Sequence, residues 1–227
     1  GIDYAVFNPK KGKTIVKTYD VKSLKNKEEN KKKVCEELGL EYNPDRPMFA
    51  MVSRLVGQKG IDLIRECQDE LRNINADFVF LGSGEKDYEN LLIWLSNNSS
   101  NIRAYIGYRA DLANQIYAGS DFYLMPSKFE PCGLSQLIAM RYGSLPVVRA
   151  TGGLEDTVTG YPLDNSNGFK FWGYSGWNMM EAIRCALGVY QDKYTFNAMR
   201  KSAMEADFSW KKSSAQYLKL YKELAGV

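Results

Sequence analysis

DFYLMPSKFEPCGLSQLIAMRYG, residues 121–143, holds the plan of the chain in one unit. DFYLMPS is a continuous apolar run of strand length, Pro131 and Gly133 punctuate the joint after it, and GLSQLIAMRYG carries a helical apolar period. The same device stands on both sides. Upstream, PMFAMVSRL (47–55) leads through Gly57 and Gly60 into GIDLIRECQDELRN (60–73), whose Ile61, Ile64, Cys67, Gln68 and Leu71 mark one buried helical stripe. ADFVFLGSGE (76–85) precedes the helix DYENLLIWLSNN, and NIRAYIGY (101–108) precedes the helix DLANQIYAGS. Downstream comes the strand LPVVRA (145–150). Strands apolar on both faces, joined by single helices, form a parallel sheet covered on both sides. The predicted fold is therefore an open, doubly wound, Rossmann-like α/β sheet. A helix over NKEENKKKVCEELGL, with Val34 and Leu38 inward and Gly39 at its end, precedes it. Three further helices, NMMEAIRCALGVYQD, FNAMRKSAMEA and SSAQYLKLYKELA, follow it, the last after the aromatic turn DFSW.

Composition narrows the function classes. A formal net charge of +3 over 227 residues gives no nucleic-acid footprint. The basic run from Lys10 to Lys33 is read as a solvated linker and helix face. Four dispersed cysteines without a CxxC pair, and no histidine at all, leave no metal site and point to a reducing compartment: the cytoplasm or, for a plant source, a plastid. No apolar run approaches the roughly 20 residues that span a bilayer, so no membrane partner is expected. The chain opens on GIDYAVFNP without a methionine and is read as a fragment or a processed chain.

In doubly wound sheets, ligands bind at the carboxyl ends of the strands, where strand order reverses. Four loops lie there. In Ser53–Gly60, Arg54 and Lys59 place two cations beside a helix N-terminus, an arrangement suited to a diphosphate; a surface turn with two basic residues is the plain alternative. It is not a Walker loop, because the GxxxxGK[ST] spacing is absent. Gly82-Ser83-Gly84 either lets a base or ribose lie against the backbone or is a tight turn. In KFEPCGLSQL, the N–H groups of Gly133, Leu134 and Ser135 are free at a helix start, and Glu130 is either a helix-dipole partner or an acceptor for sugar hydroxyls. Gly152 and Gly153 permit close approach, with Glu155 or Asp156 as an N-cap. Tyr108 offers an aromatic face, or packing. Together, two cations, a helix start and a carboxylate on one sheet edge fit a nucleotide sugar.

SRLVGQKG, GY followed by DLANQIYAGSDFYLMPSKFEPCGLSQL, YGSLPVVRATGGLEDTV and the closing DFSWKKSSAQYLKLY resemble the glycogen and starch synthase family over nearly the whole chain. EPCGLSQL followed by TGGLEDTV is the specific part. The resemblance implies the C-terminal, donor-binding half of a GT-B fold as one domain over 1–227. Residues 1–20 then resemble an interdomain link, and 208–227 a terminal helix packing towards an N-terminal domain. That other half would bring the acceptor and a catalytic histidine. By motif position, Arg54 and Lys59 would neutralise the donor diphosphate, Tyr108 would stack on the base, and Glu130 would hold glucose hydroxyls. The N–H groups of Gly133, Leu134 and Ser135 would meet the distal phosphate. The implied reaction transfers glucose from ADP-glucose to the 4-hydroxyl of an α-1,4-glucan with retention, without a metal or other cofactor. Cys132, beside Glu130, is expected to be a small buried packing residue rather than a nucleophile. Many retaining GT-B enzymes place a second glutamate eight positions after the first, where this chain has Ile138; glycogen and starch synthases likewise lack an acid there, and ribose contacts stay unassigned. Alternatives are a nucleotide-binding module without activity and another retaining GT-B enzyme using UDP-glucose. A Rossmann oxidoreductase is disfavoured, since no GxGxxG follows the first strand with an acid about 20 positions on.

Overall fold

A computed structural model describes residues 1–226. Its centre is a six-stranded sheet in the order β3-β2-β1-β4-β5-β6, parallel throughout. The strands are β1 (Met48–Val52), β2 (Asp77–Gly82), β3 (Ile102–Ile106), β4 (Phe122–Met125), β5 (Leu145–Arg149) and β6 (Phe169–Phe171). Helices α1 (Lys27–Leu38), α2 (Ile61–Glu66), α3 (Gln68–Asn73), α4 (Lys86–Asn97), α5 (Ala110–Gly119), α6 (Ser135–Arg141), α7 (Gly153–Thr157), α8 (Gly176–Gln191), α9 (Lys193–Glu205) and α10 (Trp210–Ala225) complete it. This is the doubly wound α/β architecture anticipated from the alternation. The central strands are sealed on both faces because every residue of β2 and β4 is apolar or shielded; Phe49 stacks at 4.6 Å on Phe122 and 5.3 Å on Phe78 across three neighbouring strands.

The β1–β4 pair is special. β1 and β2 stay in register over five residue pairs, whereas β1 meets β4 only at Phe49–Phe122 and Ala50–Tyr123. Beyond Ala50 the two strands splay, and the buried Tyr123 phenol fills the gap. It donates to the Val52 carbonyl at 2.8 Å and accepts from the Val52 N–H at 3.0 Å. Here strand order reverses, so the carboxyl ends of β1 and β4 open a crevice between them.

Several local expectations need correction. The helix over 60–73 is two helices: Cys67, at φ −114°, ψ 21°, leaves helical geometry and separates α2 from α3. The short β6, interrupted in its apolar pattern by Lys170, and the single-turn α7 were not anticipated. Glu155 and Asp156 are no N-cap; they lie in the first turn of α7, whose cap is Gly152. Residues 1–20, expected to resemble an interdomain link, pack on the unit at Ile2, Ile15 and Tyr19, which are buried, the Tyr19 hydroxyl donating to the Tyr142 carbonyl at 2.8 Å. The basic run is not wholly solvated either. Lys27 and Lys31 on α1 are buried, Lys31 at 3.0 Å from the Asp121 carboxylate. Burial opposes the Lys31 charge, but Asp121 more than offsets it and holds the ammonium above its ordinary value. The helix proposed towards the C-terminus is present as α10, with no buried residue; Val227 lies outside the described residues. Among the described residues no helix is long and apolar enough to cross a membrane.

Candidate functional site

Two adjoining cavities occupy the crevice between β1 and β4. The larger, about 510 Å³, is lined by Phe7, Arg54, Gly82, Tyr108, Tyr117, Ser135 and Ile138 among others. The smaller, about 200 Å³, is lined by Arg54, Lys59, Tyr123, Ser127 and Ser135. Val52, Ser53, Arg54 and Ser135 belong to both, so they form one continuous cleft.

The backbone on either side is drawn together by close contacts that only glycine permits. Leu55 accepts from the Glu85 N–H at 2.8 Å and donates to Ser83 at 2.9 Å, extending the β1–β2 pairing beyond the strands. A Cβ at Gly82 would stand 1.8 Å from the Ser53 oxygen, and one at Gly84 2.2 Å from the Leu55 oxygen. The Gly82-Ser83-Gly84 signal thus has a packing cause, although Gly82 also faces the larger cavity. Across the cleft mouth, the Gln58 carbonyl accepts from the Lys128 N–H at 2.8 Å, tying the Lys59 loop to the Glu130 turn.

That turn rests on the glycine pair. The Gly153 N–H donates to the Glu130 carbonyl at 3.0 Å; a Cβ at Gly152 would be 2.3 Å from that oxygen, and one at Gly153 1.9 Å from the Cys132 oxygen. Gln136, fully buried, donates from Nε2 to the carbonyls of Cys132 at 3.1 Å and Gly133 at 3.0 Å. The turn's carbonyls are therefore consumed from below. Among the described residues, the N–H groups of Gly133, Leu134 and Ser135 have no backbone acceptor.

On this platform Glu130 Oε2 accepts from Lys59 Nζ at 2.5 Å and from Ser127 Oγ at 3.2 Å. Glu130 is 9% exposed. Its Oε1 has no protein donor among the described residues. Arg54 is exposed and makes no ion pair among them. Tyr108, 84% exposed, rims the larger cavity. Arg54, Lys59, Tyr108, Gly82 and Ser135 thus line one cleft, and Glu130, which lines neither cavity, joins it through Lys59 and Ser127. Gly84, Gly152, Gly153, Cys132, Gly133 and Leu134 do not line it; the first three pack backbone, while Leu134 is 51% exposed. Cys132 is exposed, against the expectation that it is a buried packing residue, because the turn's underside is filled by Gly153 and Gln136.

Sequence reasoning missed Ser127, Tyr117, Tyr123 and Phe7. Ser127 had a signal, being polar at the carboxyl end of a strand. The two tyrosines had none, since burial among aromatic rings hides a hydroxyl pair 3.1 Å apart. Burial pushes both phenols up, Tyr123 well above its ordinary value, so both are neutral donors near neutral pH.

The family of glycosyl transferases group 1 matches residues 36–186. The chain is 48% identical to a glycogen synthase of Exiguobacterium sibiricum, aligned over 99% of this chain and 47% of the relative. It is 47% identical to a glycogen synthase of Clostridium beijerinckii, over 100% of this chain and 48% of the relative. The chain therefore spans about half the length of the curated relatives it matches. The solved catalytic domain of starch synthase IV from Arabidopsis thaliana, bound to ADP and acarbose, superposes with a TM-score of 0.91 at 35% identity, over 98% of this chain and 48% of that one.

Proposed function

This chain belongs to the glycosyl transferases of group 1, with one Rossmann-like half of a GT-B fold in the manner of glycogen and starch synthases, and from that premise we propose that its cleft is the donor site of a glycogen or starch synthase. In this reading residues 1–227 are a single donor-binding domain. The observation that carries the site is the Lys59–Glu130 pair, whose lysine lines the smaller cavity beside Arg54, which makes no ion pair among the described residues.

Each residue has a role that follows from its position. Arg54 and Lys59 face the diphosphate of ADP-glucose and stabilise the charge that develops on it as glucose leaves; no metal ion is invoked. Glu130, held by Lys59 and Ser127 through one oxygen, accepts hydrogen bonds from glucose hydroxyls with the other. The N–H groups of Gly133, Leu134 and Ser135 receive the distal phosphate. Tyr108 covers the base over the apolar wall of Phe7, Tyr117 and Ile138. Adenine is favoured over uracil by the ADP bound to starch synthase IV. The acceptor is the 4-hydroxyl of an α-1,4-glucan, the anomeric configuration is retained, and the compartment is the cytoplasm; these rest on the likeness to glycogen synthases.

The exposure of Arg54 and Tyr108 favours a second reading of the chain by itself: it binds nucleotide but does not transfer glucose, because among the described residues no element covers the cleft to exclude water or bring the acceptor. The exposed apolar side chains of α10, Trp210, Tyr217, Leu218 and Tyr221 among them, would offer a covering domain a place to dock. Calorimetric titration with ADP, UDP, ADP-glucose and UDP-glucose tests both. Saturable adenine-selective binding is expected, with no extension of maltooligosaccharide; binding of UDP-glucose in preference, or glucan made by the chain alone, would overturn the corresponding assignment.

A further inference from the structure

At the opposite edge of the sheet, by the amino end of β4, a second cavity of about 440 Å³ opens between α1, the end of α5 and α9. Five of its lining residues are cationic, Lys22, Lys25, Lys27, Lys31 and Arg200, and two are acidic, Glu28 and Asp121. The acids are already engaged. Asp121 pairs with Lys31 at 3.0 Å, and Glu28 accepts the Tyr42 hydroxyl.

Arg200 is the telling group. It is 8% exposed, its Nε donates to the Gly143 carbonyl at 3.2 Å, and its guanidinium lies 5.0 Å from the Phe196 ring centre. Its two terminal nitrogens have no protein acceptor, and no carboxylate lies within ion-pair distance of it among the described residues. A guanidinium carries five donors in a planar fork and is costly to bury without an anion. Lys27, 2% exposed, donates to the carbonyls of Tyr117 at 3.0 Å and Ala118 at 2.7 Å, and likewise lacks a carboxylate partner. Burial, then the positive charge of Arg200, push its ammonium well below the ordinary value. Arg200, a buried guanidinium with no carboxylate within ion-pair distance among the described residues, together with Lys22 and Lys25 exposed at the rim, forms a pocket complementary to a multiply charged oxyanion.

We propose that this cavity is a binding site for a phosphomonoester, with the phosphoryl group on Arg200 and the rim lysines, separate from the donor cleft. Its volume exceeds that of a bare phosphate. Asn197 on its wall supplies amide donors and acceptors for a polar body of about hexose size.

The test is thermal denaturation and calorimetry of the full chain with inorganic phosphate, a hexose phosphate, and the unphosphorylated hexose as control. Because the donor cleft also attracts phosphate, Lys59→Ala is titrated in parallel. Saturable binding of the hexose phosphate, retained in Lys59→Ala and weakened at least tenfold in Arg200→Gln and in the Lys22→Ala, Lys25→Ala double variant, is expected. The double variant alters only exposed side chains and decides the matter if Arg200→Gln fails to fold. Binding of inorganic phosphate as tight as that of the hexose phosphate would place a free phosphate there and remove the sugar from the proposal. No saturation up to about 10 mM, binding lost in Lys59→Ala, or binding unchanged in the double variant would overturn it.

Discussion

Gly153→Ala isolates the device that supports the Glu130 turn. Gly153 is helical, so alanine is conformationally acceptable and would by itself stabilise by about 0.4–1 kcal/mol through the unfolded chain. The added methyl, however, falls 1.9 Å from the Cys132 oxygen and 2.5 Å from its carbonyl carbon, both backbone atoms that cannot rotate away. The turn must retreat by more than an ångström. Overpacking of that kind costs about 1–3 kcal/mol, and loss of the 3.0 Å Gly153–Glu130 backbone bond adds about 1 kcal/mol. The net expectation is about 1–3 kcal/mol of destabilisation, or a melting temperature lower by roughly 3–10 °C in a chain of this size. Glu130 and Ser135 move with the turn, so ADP-glucose affinity falls as well. Gly188→Ala is the control: near the end of α8, with open space around it, the methyl should raise stability by about 0.5–1 kcal/mol and leave binding alone. Differential scanning fluorimetry and calorimetric titration measure both variants. Equal melting temperatures for Gly153→Ala and the parent, with equal nucleotide affinity, would refute the close-approach reasoning.

Three other outcomes are expected. Glu130→Gln and Lys59→Ala each weaken ADP-glucose binding, by about 1.5–3 kcal/mol for a lost charged hydrogen bond, without unfolding the chain; unchanged affinity in both, by calorimetry, would place the donor elsewhere. Asp121→Asn leaves Lys31 buried without its carboxylate and should cost about 3–5 kcal/mol in urea denaturation; a loss below about 1 kcal/mol would show the pair to be dispensable. Burial raises the Cys67 thiol to about 12, above the roughly 8.5 of an unfolded cysteine. The folded state therefore keeps a proton that the unfolded state gives up. Stability from this group is complete below the unfolded value and lost as pH rises towards the folded one, with a limiting slope of about 1.4 kcal/mol per pH unit. Denaturation between pH 8 and 10 should show a shallower decline for Cys67→Ala, and parallel curves would contradict the shift.

The fold was legible because β1, β2, β4 and β5 are apolar on both faces, which only a doubly covered parallel sheet explains. β6 was not, since Phe169-Lys170-Phe171 is three residues long and broken by a lysine. Lys27 and Lys31 looked like surface charges within their run because their partners, the Ala118 carbonyl and Asp121, are some 90 residues away in sequence. At the cleft, Arg54, Lys59, Glu130 and Tyr108 could be named from strand ends alone. The Lys59–Glu130 bond could not, nor could the support of the Glu130 turn by Gly153 and Gln136, because both depend on how separate crossovers stack. Ser127 and the Tyr117–Tyr123 hydroxyl pair join the site through the same stacking.

The splay between β1 and β4 also bears on the order of folding. The Lys59–Glu130 contact closes a loop of 71 residues, and the strands beside it share only two registered pairs. Local strand–helix–strand units can assemble early, but this seam pays its loop-closure entropy for little ladder in return. It is a natural late step, and an early one in unfolding. A nucleotide seated across it would then act as a kinetic clasp, slowing unfolding far more than it speeds folding.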